Sequence, residues 1–239
     1  MKRQLASFLL SALVVTILAP ANGAKETSNL RQQESNSISL EMEFSKRSQN
    51  PFQRVISFLD PEPRGYATGF LAGGHLVITA YHAVSGELDP SKKLALGFGR
   101  GDQLQVRVFV NGCQARVVKV DKEADLALLE ICESSKPGEA LTFQSSPSKD
   151  EKLLVVARPH GDRIVGRGTF MGAYAFKGID YWSAKLSARD GYSGSPVYDE
   201  QGELIGVFSG YDWSRNVAVI SPAIRAQKLL EEYASKTKP

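Results

Sequence analysis

The chain has 239 residues, 42% of them hydrophobic and 23% charged, with 21 Gly, 11 Pro and 2 Cys. That balance excludes a collagen-like, coiled-coil or wholly disordered chain, and two Cys cannot build a disulfide scaffold or a zinc site of several thiolates. The formal charge of +3 makes no case for nucleic acid, which favours a clustered basic face.

Lys2 and Arg3 precede an apolar run from Leu5 to Leu18, followed by Pro20 and the small-residue stretch Ala21-Asn22-Gly23-Ala24. A basic start, a short apolar core and small residues before a cut describe a secretory signal peptide over 1–23. The run falls short of the roughly 20 residues a bilayer-spanning helix needs, and no Cys follows it to carry a lipid. The alternative is an uncleaved membrane anchor. Cleavage after Gly23 removes Lys2 and Arg3 and no acidic residue, so +3 becomes +1. The expectation is a nearly neutral bacterial protein, secreted or periplasmic, with no stable membrane anchor after cleavage. The stretch 24–50 is rich in Ser, Gln, Asn and Glu and reads as a polar leader or pro-segment. One body, 51–239, follows without a linker or solenoid repeat.

That body reads as strands. Alternating or β-branched runs between turn signals predict them at Gln53–Phe58, Tyr66–Leu71, His75–Ile78, Leu94–Phe98, Gln103–Val110 and Ala115–Val120. The same pattern recurs at Leu126–Ile131, Lys152–Ala157, Ile164–Tyr174, Tyr181–Leu186, Leu204–Phe208 and Val217–Ile220. One helix is expected, at the C-terminus, with Ser221 as its cap, Pro222 in its first turn, and Ala223, Ala226, Leu230 and Tyr233 on one face. About a dozen short strands without intervening helices point to an all-β barrel or sandwich.

The runs Ala115–Val120 and Leu126–Ile131 flank the polar connection Asp121-Lys122-Glu123-Ala124, so they predict a hairpin that sets Cys113 opposite Cys132. An oxidising compartment then permits a cross-strand disulfide, the alternative being two free buried thiols.

The chemistry concentrates in Gly191-Tyr192-Ser193-Gly194-Ser195-Pro196. A nucleophilic Ser needs a base, an orienting acid and an oxyanion site. All three His (His75, His82 and His160) precede Ser193, which excludes the α/β-hydrolase order of nucleophile before His. His82 ends the apolar run Val77-Ile78-Thr79-Ala80-Tyr81-His82, and Asp125 opens Asp125-Leu126-Ala127-Leu128. Standing alone, His82 would be a core or turn residue and Asp125 the end of a hairpin. His75 and His160 are assigned to structure or solvent. No spacing predicts a metal site, and no cofactor is expected.

Thr79-Ala80-x-His82, Asp125-Leu126-Ala127-Leu128 and Gly191-x-Ser193-Gly194-x-Pro196, in that order, resemble the trypsin/chymotrypsin-like serine proteases. The likeness runs from about Pro51 to Tyr233. It is closest to the compact bacterial branch of glutamyl endopeptidases and HtrA-type protease domains. It implies two packed six-stranded antiparallel barrels (lobes of roughly 51–140 and 141–239) with a C-terminal helix. It implies a serine endopeptidase acting on peptides or proteins, with Ser193 as nucleophile, His82 as general base and acid, and Asp125 as orienter. The N–H groups of Gly191 and Ser193 would form the oxyanion hole. Ser187 would lie near the base of the primary pocket; Ser209, Gly210 and Tyr211 would pair with extended substrate, Ser209 also supporting Asp125. Ser187 where an Asp would select Lys or Arg, and Phe208 where glutamyl endopeptidases carry a His, point to a neutral, small or apolar preference. No PDZ-like region follows the terminal helix, which argues against a full HtrA-type protease-chaperone assembly; the oligomeric state is left open, with a monomer expected. Tyr192 and Ser195 depart from the usual loop, which leaves a catalytically silent protease-shaped binding module as the competing reading, alongside an esterase using the same three residues.

Overall fold

The computed structural model describes residue 31 and residues 33–47, 63–132, 141–144, 146–176 and 178–237. Twelve strands close into two six-stranded antiparallel barrels. The first contains β1 (Ser37–Lys46), β2 (Arg64–Leu71), β3 (Leu76–Ala80), β4 (Leu104–Val110), β5 (Cys113–Asp121) and β6 (Leu126–Glu130), joined in the order β1-β2-β3-β6-β5-β4. The second contains β7 (Lys152–Ala157), β8 (Ile164–Phe176), β9 (Ile179–Lys185), β10 (Pro196–Tyr198), β11 (Leu204–Asp212) and β12 (Val217–Pro222), in the order β10-β11-β12-β9-β8-β7. Short helices α1 (Tyr81–Val84) and α2 (Pro90–Ala95) lie in the first half, and α3 (Ala223–Thr237) ends the described chain.

The strands β3 and β6 are apolar at every position but one or two because both of their faces are buried, as in central strands generally. Val77, Ala127 and Leu129 point into the first barrel with Leu40, Met42 and Phe44. Their neighbours Ile78, Leu126 and Leu128 point the other way, into a shared layer with Phe70, Val156, Tyr198, Leu204, Val207 and the α3 residues Ala223, Ala226 and Leu229. The second barrel has its own filling of Leu153, Val155, Phe170, Ile205, Phe208 and Ile220. One apolar layer therefore cements the two barrels and the terminal helix together.

Three expectations are corrected. The stretch taken as a polar leader contributes β1, which pairs with β2 and β4 and closes the first barrel. Its Ile38, Leu40, Met42 and Phe44 alternate with polar residues at the strand period, a signal outweighed in the sequence by the Ser/Glu composition. The first barrel thus begins at Ser37, ahead of position 51. The run Leu94–Phe98, expected as a strand, is the end of α2 and a turn, because Pro90 sits in the first turn and Asp89 accepts hydrogen bonds from Ser91 N (2.9 Å) and Lys92 N (3.0 Å). Ser221 does not cap α3: it lies within β12 with its hydroxyl buried and unpartnered. The short strand β10 went unpredicted, and the expected strand Gln53–Phe58 lies outside the described residues.

The β5–β6 hairpin forms as expected and carries the Cys113–Cys132 disulfide, with Cα atoms 6.1 Å apart. Both cysteines sit at the open end of the hairpin, opposite the turn that presents Asp125.

Leu40 is wholly buried on β1. Leu40→Ala is expected to cost about 2–5 kcal/mol of stability, read from urea unfolding of the purified protein; unchanged stability would contradict a structural role for this segment.

Candidate active site

The strand β3 delivers His82 to the cleft: it ends at Ala80 and turns at once into α1, whose second residue is His82. The β5–β6 turn delivers Asp125, which stands immediately before β6 in the left-handed region (φ 54°). Asp tolerates that conformation better than most residues, and the turn is locked from several sides. Ala124 N–H donates to Asp121 Oδ1 (3.0 Å), Tyr81 N–H donates to the Asp125 carbonyl (2.9 Å), and Tyr181 of the second barrel donates to the Glu123 carbonyl (2.8 Å). Burial, reinforced by the Asp125 charge, pushes the Tyr181 hydroxyl pKa up, so it remains a donor.

The Asp125 carboxylate faces three donors. His82 N–H reaches Oδ1 at 2.8 Å, His82 Nδ1 reaches Oδ2 at 2.8 Å, and the Ser209 hydroxyl also bonds Oδ2. An ionised carboxylate can only accept, so in the neutral-imidazole tautomer that this contact selects Nδ1 donates and Nε2 offers a lone pair. That lone pair meets Ser193 Oγ at 2.8 Å. Ser193 Oγ, the His82 ring and the Asp125 carboxylate thus form one hydrogen-bonded chain at the cleft.

Ser193 sits in the loop before β10. Gly191 (φ 86°) and Gly194 (φ 82°) are both left-handed, and any Cβ would also collide: at Gly191 with Pro159 Cβ (2.6 Å), at Gly194 with Thr79 Oγ1, the Thr68 carbonyl and Ala80 N (2.8 Å). The loop is tied down by Gly194 N–H to Phe208 O (2.8 Å), Ser195 N–H to Tyr192 O (2.9 Å) and Thr68 N–H to Ser193 O (2.9 Å). Among the described residues the N–H groups of Gly191 and Ser193 have no acceptor. Tyr192 faces the second barrel, 3% exposed and edge-on to Phe208 at 6.0 Å, so it anchors the loop from below. Burial raises its hydroxyl pKa, with Arg189 opposing.

A cleft of about 590 Å³ opens at His82 and Ser193, lined further by Lys92, Ala188, Arg189, Asp190, Phe208, Ser209, Gly210, Tyr211 and Trp213. The β11 residues expected to meet substrate are thus at the cleft, whereas Ser187 is exposed and does not line it. His160 stacks on Tyr66, ring centroids 3.8 Å apart, in the turn Pro159–Gly161. His75 lies in the turn before β3, its carbonyl accepting from Ile131 N–H at 2.9 Å.

Residues 67–207 match the model of the trypsin-like peptidase domain, a span holding His82, Asp125 and Ser193. The chain belongs to the trypsin-like peptidase family. Among solved structures, the active form of the Rv3671c protease of M. tuberculosis is similar at a TM-score of 0.62 and 18% identity, with 95% of this chain and 93% of that chain covered. Its inactive form gives 0.55 and 17%, covering 92% and 99%. Deg5 gives 0.58 and 15%, covering 88% and 94%. No curated protein matches the chain by sequence. At these identities the structural matches speak for the fold, and the family match makes this peptidase domain a protease.

Three features of this peptidase domain escaped the sequence. Thr68 bonds the Ser193 loop from β2, the Arg158–Pro159 turn wedges under Gly191, and Lys92 with Trp213 rims the cleft. A small polar residue inside the buried run Ala67-Thr68-Gly69-Phe70 was the available signal for the first; nothing local marked the others, which meet the site only through barrel packing.

Gly194→Ala is expected to cost about 3 kcal/mol or more, since overpacking and positive-φ strain add. Chemical unfolding checks it, and a stability within about 0.5 kcal/mol of the parent would contradict the packing described here.

Proposed function

We propose that this chain is an exported serine endopeptidase whose reacting groups are Ser193, His82 and Asp125. The observation that carries the reading is the continuous chain from Asp125 Oδ2 through His82 to Ser193 Oγ, with 2.8 Å at each link. Ser193 Oγ bonds the carbonyl carbon of a peptide as its proton passes to His82 Nε2. The carbonyl oxygen becomes an oxyanion, held by the N–H groups of Gly191 and Ser193. Collapse breaks the C–N bond, and His82 returns the proton to the departing amine, leaving an acyl-enzyme on Ser193. Water, deprotonated by His82, then attacks the ester and releases the carboxylic acid and Ser193. Asp125 holds the Nδ1–H tautomer and stabilises the imidazolium without itself taking the proton.

Substrate would lie along Ser209, Gly210 and Tyr211 as an added strand, and Phe208 with Ala188 favours a neutral side chain at the cleaved residue. The signal reading of 1–23 supplies the export route, and the Cys113–Cys132 bridge fits an oxidising compartment. Among the described residues no helix is long and apolar enough to cross a membrane. The silent-module alternative rests on Tyr192 and Ser195 disturbing the loop. Tyr192 instead packs into the barrel and Ser195 is fully buried behind the loop, which favours the enzyme.

A fluorophosphonate probe is expected to label the purified protein, and Ser193→Ala to abolish the labelling. Labelling that persists in the variant contradicts the assignment, and no labelling of the folded parent favours the silent module. Asp125→Asn, which keeps shape but frees the wrong tautomer, is expected to lower peptide hydrolysis by about 10⁴-fold, read as kcat on a peptide identified from a library.

A further inference from the structure

Thr68 has no assigned role, yet four hydrogen bonds converge on it. It lies on β2 of the first barrel, fully buried. Its hydroxyl donates to the Gly191 carbonyl (2.8 Å) and accepts from the Arg158 N–H (2.9 Å). Its own N–H donates to the Ser193 carbonyl (2.9 Å), and its carbonyl accepts from the Thr79 hydroxyl (2.7 Å). Thr79 stands in β3, three residues before His82. One residue therefore grips two carbonyls of the Ser193 loop, the turn that supports Gly191 and the strand that delivers His82.

We propose that Thr68 is a positioning residue which sets the oxyanion donors of Gly191 and Ser193, an inference that rests on the protease reading above. In a tight turn, peptide planes are free to flip unless one end is held. Thr68 holds the Gly191–Tyr192 plane by its hydroxyl and the Ser193–Gly194 plane by its N–H. Those two planes flank the Tyr192–Ser193 plane, which carries the Ser193 N–H, and the first of them adjoins the Asp190–Gly191 plane, which carries the Gly191 N–H; with both flanking carbonyls turned toward the first barrel, neither donor has an acceptor among the described residues. A plain apolar residue cannot substitute, because the hydroxyl serves as donor and acceptor at once. The grip acts on the loop that meets developing negative charge, and Thr68 itself neither belongs to the substrate-edge strand β11 nor lines the cleft. Its loss should therefore fall on the transition state and leave ground-state binding in place.

The experiment compares Thr68→Val, isosteric but without the hydroxyl, with Thr68→Ser, which keeps it. Circular dichroism verifies folding. On one peptide substrate, Thr68→Val is expected to lower kcat by about 10- to 100-fold, less than the 10²–10³ seen for removing an oxyanion donor outright, with KM within about 3-fold. Affinity for a peptide boronate, whose tetrahedral adduct carries the oxyanion, should fall by a similar factor. Thr68→Ser should restore both to within about 3-fold of the parent. Should Thr68→Val fail to fold, Thr68→Cys, with its weak S–H donor, takes its place with the same expectation. A folded variant with parental kcat and boronate affinity overturns the inference alone, as does a loss borne by KM. A parent protein with no turnover and no boronate binding overturns the protease reading and this inference with it.

Discussion

Everything at this site depends on one constraint: an imidazole from one barrel and a hydroxyl from the other must meet at hydrogen-bond distance. His82 and Asp125 are carried by the first barrel, Ser193 by the second. Among the described residues no disulfide joins the lobes, and an apolar layer of Phe70, Ile78, Leu126, Leu128, Val156, Tyr198, Leu204 and Val207 packs them together. Interiors packed like crystals transmit displacements of this size with little give. The polar contacts between Thr68 and the Ser193 loop, and between Tyr181 and the Asp125 turn, add directional ties across the seam. Apolar burial supplies the cohesion, and a few directional bonds supply the register.

The same division explains the conformations concentrated around the site. Asp125, Gly191 and Gly194 all take positive φ, and each is over-determined by neighbours: Asp125 by five hydrogen bonds to the turn, α1 and Ser209, the glycines by neighbouring atoms that approach where a Cβ would stand. Strain of this kind persists only where the surroundings impose it. The α3 helix contributes at a distance. Ala223, Ala226 and Leu229 close the far side of the inter-barrel layer, so the terminal helix helps to set how the two barrels meet.

Much of this was legible in the sequence because the relevant signals are local. The period-2 runs gave most strands within one or two residues, and Ser193, His82 and Asp125 stood out through short motifs in a fixed order. The hairpin geometry of Ala115–Ile131 placed the two cysteines together. Other features were hidden because they are decided by packing between distant segments. The β1 strand looked like a leader by composition, and only closure of the barrel makes its alternation matter. Leu94–Phe98 has strand-like residues overruled by Asp89 and Pro90. Thr68, 125 residues from Ser193, is an ordinary strand Thr until the second barrel docks on it. Ser187, placed by resemblance, faces solvent because the pocket wall is formed by its successors Ala188, Arg189 and Asp190.

The central claim is that two barrels assemble a nucleophile at Ser193, and the acyl-enzyme is its most direct witness. The protein is mixed with a peptide 4-nitrophenyl ester, quenched in acid within the first turnover, and digested for mass spectrometry. A burst of nitrophenol equal to the enzyme present, with the acyl group mapped to Ser193, is the predicted result. Turnover with no adduct, or an adduct carried by Ser187 or Ser195, would contradict the account.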